Sequence, residues 1–306
     1  MNTTMPSQPS SKSLPYMYVL FSGLATTGLT LLLVYLLNAH ADINLMGFYA
    51  DFVIPVGAMG VGILAGSGYG LVSWIAGVKI PRSLLLTIIV LQCVAYFYAQ
   101  YIVFEHLHLV YRSNNQPVGF FEYFDLSARS FAFKQDNGDT GNAMGAWGYA
   151  FRFLEVSGFA FTALLIPVFV SRVPYCDSCG RYMRKKGFAV LPGSAPFRKI
   201  KKSDAQGQAA YKEEGGKAVE SATNALNVLG EMASSGQVDA LNTALTALRP
   251  GNKAASKLPT RHVLQLYRCT TCSSGQLNAT PTSGQGKQLR RGKTVSYQIP
   301  GDAALG

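Results

Sequence analysis

Charge is what this chain has least of. Only 14% of its 306 residues are Asp, Glu, Lys or Arg, against about 25% in soluble domains, a deficit that argues against an ordinary water-soluble fold and points to a membrane class. Histidine is scarce too, with four in all. No Ser/His/Asp set, phosphate loop or pair of carboxylates converges anywhere in the sequence, so no enzymatic reaction is read from it. The stretch Gly66-Ser67-Gly68-Tyr69-Gly70 has the glycines of a nucleotide loop but neither the preceding strand nor the following amphipathic helix. An even spread of charge is also missing. Residues 1–171 hold seven Lys/Arg and eight Asp/Glu, whereas 172–306 hold twenty and eight.

What the first half does have is long apolar runs. Residues 17–37, 52–76, 83–104 and 149–170 each reach the roughly 20 helical residues that cross a hydrocarbon core of about 30 Å. The connector after the second run carries Lys79 and Arg82 with no acid, and the first connector carries only Asp42 and Asp51. Positive residues stay inside, which puts both termini in the cytoplasm and the 105–148 loop outside, as expected for a multi-pass membrane protein. Cleavage at the Ala-x-Ala of "NAHAD" (38–42) would instead make residues 1–41 a signal peptide. The run is longer than the usual core of about 7–15 residues, so a span is preferred.

Small residues recur every fourth position at Ala58, Gly62, Gly66 and Gly70, one helix face against which a neighbour packs closely. The third run carries Gln92, Tyr96 and Gln100 at the same spacing. Amides in lipid need partners, so this stripe should face other helices, as interhelical glue in preference to a solute path. Arg152 and Glu155 lie three apart near the outer end of the fourth run. Ionisable groups at such depth are functional candidates, and the plainer alternative is an ion pair with Arg152 snorkelling outward.

In the outer loop, Phe120, Phe121, Phe124, Ala128 and Phe131 recur at helical spacing and predict a short helix lying on the outer leaflet. "FKQDNGDTG" after it has hairpin turn chemistry. Glu105, His106 and His108 are read as exposed polar residues at a span end, because His-x-His points its rings apart on a helix.

The cysteines are the strongest signal. Cys93 lies in the third run, and the other four form two Cys-x-x-Cys pairs, Cys176/Cys179 and Cys269/Cys272. Cytosolic thiols stay reduced. Two such pairs supply the four thiolates of a tetrahedral, structural Zn2+ site, one per chain, with no open position for substrate. Thioredoxin-type redox chemistry is the rival, but each pair is followed by small turn residues and a strand-like stretch where a helix would be required. "GFAVLP", "HVLQLYR", "QLNATPT" and "TVSYQIP" read as strands. Between them, Val219, Ala222, Leu226, Leu229 and Ala233, and then Val238, Leu241, Leu245 and Leu248, form two seams joined at "SSG" and stopped by Pro250-Gly251. That pattern is an antiparallel helical hairpin. The knuckles and strands resemble the zinc-ribbon group, over roughly 175–193 and 261–300.

Two basic clusters, Arg181, Arg184, Lys185, Lys186 and then Arg198, Lys199, Lys201, Lys202, follow the fourth run closely. Such segments are drawn to anionic headgroups. Nucleic acid is the less favoured partner, since only Tyr175, Tyr182, Phe188 and Phe197 lie nearby to stack on bases. The stretches "PVGAMGVGILAGSGYG", "GAWGYAFRFLEVSGFAF" and "PYCDSCGRYMRKK" together resemble a group of uncharacterised bacterial inner-membrane proteins with four spans and a cytosolic four-cysteine ribbon, a resemblance that implies no activity. The expected architecture is an α-helical membrane protein of four transmembrane helices plus a small cytosolic zinc-ribbon β domain with an inserted helical hairpin. Residues 1–16 form a polar tail, 17–172 the transmembrane domain and 173–306 the ribbon domain, with the insertion at 204–250. The expected function is a cytosolic docking or assembly module for a protein partner. The alternatives are a small transporter or channel-like component using the polar residues of the spans, and a membrane-tethered nucleic-acid binder.

Overall fold

Glycine and alanine at four-residue spacing let one apolar helix be packed on two sides at once, and the first half of the fold is built around it. The computed structural model describes residues 13–41, 43–50, 53–111, 115–132, 142–196, 198, 200–201, 204–284 and 288–301, side chains 13–15 excepted. It divides into two compact units at 173/174.

The first unit contains four helices long and apolar enough to cross a membrane: α1 (Ser13–Ala41), α2 (Val56–Ala76), α3 (Arg82–Leu107) and the pair α5 (Gly148–Ala163) and α6 (Leu165–Ser171). A shorter α4 (Phe120–Arg129) precedes α5. The small-residue stripe of α2 meets α5 and α6. A Cβ on Gly62 would run into the Phe159 carbonyl, one on Gly66 into the Ala163 carbonyl, and one on Gly70 into Ile166 and Pro167. Pro167 has no N–H to offer the Ala163 carbonyl four residues earlier, and the fourth span is broken into α5 and α6 there. A second close face, not read from the sequence, holds α1. Thr26 and Thr27 donate to the Ala65 carbonyl at 2.9 and 3.2 Å, Ser22 donates to the Gly68 carbonyl at 3.1 Å, and a Cβ on Gly68 would strike Ser22 and Thr26.

This unit exposes large apolar side chains and buries several polar ones alongside its apolar core. Phe21, Leu29, Ile75, Leu86, Val94 and Phe161 are exposed, while Thr27, Ser73, Gln92, Gln100, Glu155 and Thr162 are buried. α4 forms where a helix is expected. Tyr123 and Ala128 are its buried residues and Phe121 is 86% exposed, and the Ala128 carbonyl packs against Gly148 so closely that no side chain fits there. The hairpin expected at 133–141 lies outside the described residues, as do Asp42, Asp51, Phe197, Lys199 and Lys202.

The second unit is strand-rich. A two-stranded hairpin, β1 (Tyr175–Cys176) and β2 (Arg181–Tyr182), precedes an antiparallel sheet of β3 (Arg184–Pro192), β4 (Thr260–Arg268), β5 (Gly275–Ser283), β6 (Arg290–Arg291) and β7 (Val295–Ile299). The order is β3-β4-β5, with β6 and β7 both on the far edge of β5. Between β3 and β4 run α7 (Ala205–Ser234) and α8 (Val238–Leu248), then the short α9 (Asn252–Ala255). Register places Gly187, Leu266 and Leu277 in one row and Ala189, Leu264 and Ala279 in the next. That face takes Leu229, Ala233, Leu241 and Leu245 from the helices, forming one core. Each fully buried leucine there contributes about 1.5–3 kcal/mol. Val219, expected in the seam of α7, is 54% exposed and stands outside this core. α7 also starts fourteen residues before that seam, where the Asp204 side chain accepts from the Gly207 amide at 2.8 Å and caps it.

Candidate metal centre and buried polar cluster

The two Cys-x-x-Cys pairs sit on two turns of matching construction. In the first, β1 carries Cys176, the chain turns through Asp177, Ser178 and Cys179, and Gly180 takes φ +63 before β2. In the second, β4 ends at Arg268, Cys269 and Cys272 follow, and Ser273 takes φ +58 before β5. The residue after each second cysteine is thus left-handed, the conformation in which glycine is favoured. The second turn is tied by Cys269 N to the Ser274 carbonyl at 2.7 Å and by the Arg268 guanidinium on the Ser273 carbonyl at 3.0 and 3.2 Å.

These turns bring all four sulfurs within 4.8 Å of one another, with Cys176 Sγ and Cys272 Sγ 3.6 Å apart. A tetrahedral ion bonded to thiolates at about 2.3 Å would hold its sulfurs about 3.8 Å apart, so the donor set is within about 1 Å of the spacing a metal ion needs. Cys176 and Cys269 are buried and pack with Met183, while Cys179 and Cys272 lie at the rim. Among the described residues this is the one group of three or more Cys, His, Asp or Glu placed to hold an ion. Glu105, His106 and His108 do not form such a group.

Serine hydroxyls not read from the sequence complete the surroundings. Ser274 Oγ lies 3.0 Å from Cys272 Sγ and 3.5 Å from Cys176 Sγ, and Ser178 Oγ lies 3.2 Å from Cys176 Sγ. The Ser274 hydroxyl, then its amide, holds the Cys272 thiol down to about 6, below the ordinary thiol range. Cys179 is pushed up to about 12, first by its hydrogen bond with Cys272. Sulfurs this close repel one another as thiolates, and a cation among them would remove that repulsion.

In the helical unit, Gln92, Tyr96, Gln100 and Glu155 are all buried, and the structure joins three of the five polar candidates, Tyr96, Arg152 and Glu155, into one network. Glu155, 1% exposed, accepts from Tyr96 OH at 2.5 Å and Arg152 Nη1 at 2.8 Å on one oxygen, and from Tyr49 OH at 2.7 Å on the other. Arg152 does not snorkel outward. Its second Nη donates to Ser127 Oγ on α4 at 3.2 Å, and its guanidinium carbon lies 5.9 Å from the Phe124 ring centre. Gln92 takes a separate role, donating from Nε2 to Thr27 on α1 at 2.9 Å. Tyr49 and Ser127 were invisible to sequence reading because they come from segments far from residue 155 and follow no periodicity that would mark them.

No protein-family model, curated protein or solved structure matches the chain at a significant level. The functional reading therefore rests on the chain's own geometry.

Proposed function

We propose that this is a four-span protein of a bacterial inner membrane whose C-terminal domain, 173–306, is a zinc-ribbon docking module held together by one structural Zn2+ on Cys176, Cys179, Cys269 and Cys272. The observation that carries the reading is the four-sulfur cluster. Tetrahedral thiolate sets suit zinc, and a shell closed by four protein ligands stabilises a fold without leaving a position for substrate. The membrane assignment is supported by the large apolar side chains that the helical unit exposes and the polar ones that it buries, the arrangement expected when lipid is the solvent. Cytosolic placement of the ribbon domain follows the excess of Lys and Arg after the fourth span.

The solute-path reading of Gln92, Tyr96, Gln100, Arg152 and Glu155 has less support, since both carboxylate oxygens of Glu155 are taken up by donors within the bundle. Metal analysis of protein purified from the membrane under reducing conditions tests the proposal. One zinc per chain is expected, lost in Cys176→Ser and Cys269→Ser together with the fold of the domain, because structural zinc contributes folding free energy of order 10 kcal/mol. Protein that is folded and free of zinc would sink it.

A further inference from the structure

We infer that the sheet face turned away from α7 and α8 binds single-stranded nucleic acid. The inference rests on the docking-module reading and names that module's partner. One face of the sheet is closed by the helical hairpin. Register puts Phe188, Gln265 and Asn278 together on the other face, with Tyr267 and Gln276 toward the cysteine cluster and Val190, Val263, Thr280, Arg261 and Thr282 in the opposite direction, where Val190 and Thr282 are buried and the others are accessible. Arg291, paired with Thr282, lies on this face as well.

Three properties of the face select its partner. The first is charge. Arg261 and Arg291 lie on the face, Lys185 stands against Phe188, and residues 184–192 and 260–301 contain no Asp or Glu, so every acid of the tail lies elsewhere in the sequence. No carboxylate of these segments competes with an incoming phosphate. The second is shape. Two concavities lie near the Phe188–Gln265 pair: one of about 320 Å³ at the β3 edge, lined by Lys185, Lys186, Gly187 and Phe188 with Arg249 and Asn252 of the helical insertion, the other of about 160 Å³ on the face itself, lined by Arg261, Val263, Gln265, Thr280 and Arg291 among others. Cations thus stand on both sides of the Phe188–Gln265 pair. From Gln265 to Arg261 alone the face runs about 13 Å, at about 3.3 Å per strand residue.

The third property is the aromatic platform. Phe188 is 38% exposed on a strand whose opposite face is buried, and Lys185 Nζ lies 4.7 Å from its ring centre. The Tyr267 hydroxyl donates to Gln265 Oε1 at 3.0 Å, and Asn278 Oδ1 accepts from Gln276 and Ser296. An exposed ring bordered by cations and side-chain amides is what stacks an unpaired base while phosphates are neutralised on either side. A duplex offers no base face to that ring. Anionic headgroups would use the cations and leave the ring and amides without a part. The basic segment 181–186, read from the sequence as a lipid contact, becomes one edge of this surface once β4 and β5 are paired beside it.

The test uses the full-length protein in zwitterionic nanodiscs, with metal content measured on the same sample and a labelled oligothymidylate of about 20 nucleotides as probe. Binding at physiological salt is expected. Phe188→Ala should weaken it roughly tenfold while leaving the metal in place. Replacing Lys185, Lys186 and Arg291 with Gln should flatten the dependence of log K on log salt by about 2, near 0.7 per phosphate released. No binding by metal-loaded protein, or binding that Phe188→Ala leaves unchanged, overturns the inference. Anionic phosphatidylglycerol vesicles captured in preference to the oligonucleotide, equally by the Phe188→Ala protein, would assign the face to lipid. A sample without metal would instead mark failure of the zinc-module reading itself.

Discussion

At the scale of single residues, the two cysteine turns are the same device built with different amino acids. Gly180 takes its left-handed backbone without penalty, whereas Ser273 adopts φ +58 with a Cβ attached. Ser273→Gly should therefore stabilise the second unit by about 1 kcal/mol, raising its thermal midpoint by about 4 °C with metal content unchanged. A fall in the midpoint would mean that the serine side chain does something the backbone comparison misses. The cysteines themselves were legible because Cys-x-x-Cys is a local spacing. Their partners Ser178 and Ser274 were less so, because serine beside a cysteine is common in any turn, and only the fold decides which hydroxyl reaches which sulfur.

At the scale of elements, the Glu155 network shows why the bundle needs its polar residues. It ties together α3 through Tyr96, α4 through Ser127, α5 through Arg152 and Glu155, and the segment before α2 through Tyr49. Glu155→Ala would leave a buried guanidinium and two phenols without their acceptor and should destabilise the helical unit by about 3–5 kcal/mol. The paired change Arg152→Met with Glu155→Leu removes both charges and should cost clearly less. Thermal unfolding in detergent checks this, and a double variant as weak as the single one would show that the pair itself, and not the orphaned charge, is what matters. The stripe Ala58, Gly62, Gly66, Gly70 was readable from spacing alone. The opposing face of α2 was not, since Ala65 and Gly68 look like any small residues until Thr26 and Ser22 of α1 are placed against them. Helix lengths were legible because composition dictates them. The close fit of the Ala128 carbonyl on Gly148 was not, because it joins α4 to α5 and follows from neither segment's own pattern.

At the scale of the whole molecule, the proposed topology places the charge-rich half of the chain on one side of a membrane. A cytoplasm-active reporter fused after residue 306 should be active, and the same reporter inserted in the 105–148 loop should be silent. The opposite pair of signals would overturn the orientation. Strand identity in the second unit was legible from β-branched and aromatic runs bounded by turns. Which sheet face stays open was not: alternation predicts that one face is buried, but the composition of the other depends on register across β3, β4 and β5, segments separated by up to some seventy residues of helical insertion.

That separation has a temporal side. Cys176 and Cys179 leave the ribosome about ninety residues ahead of Cys269 and Cys272, and at about 5–20 residues per second the wait is on the order of 5–20 s. During it the first knuckle has two of the four sulfurs, and β3 has no β4 to pair with. α7 and α8, whose contacts with each other are local in sequence, emerge in that interval, ahead of β4. The insertion thus occupies the gap in the order of synthesis that it creates in the sequence, and the four-sulfur cluster is complete only when the second half-site meets the first, so that a metal ion held there would join early chain to late.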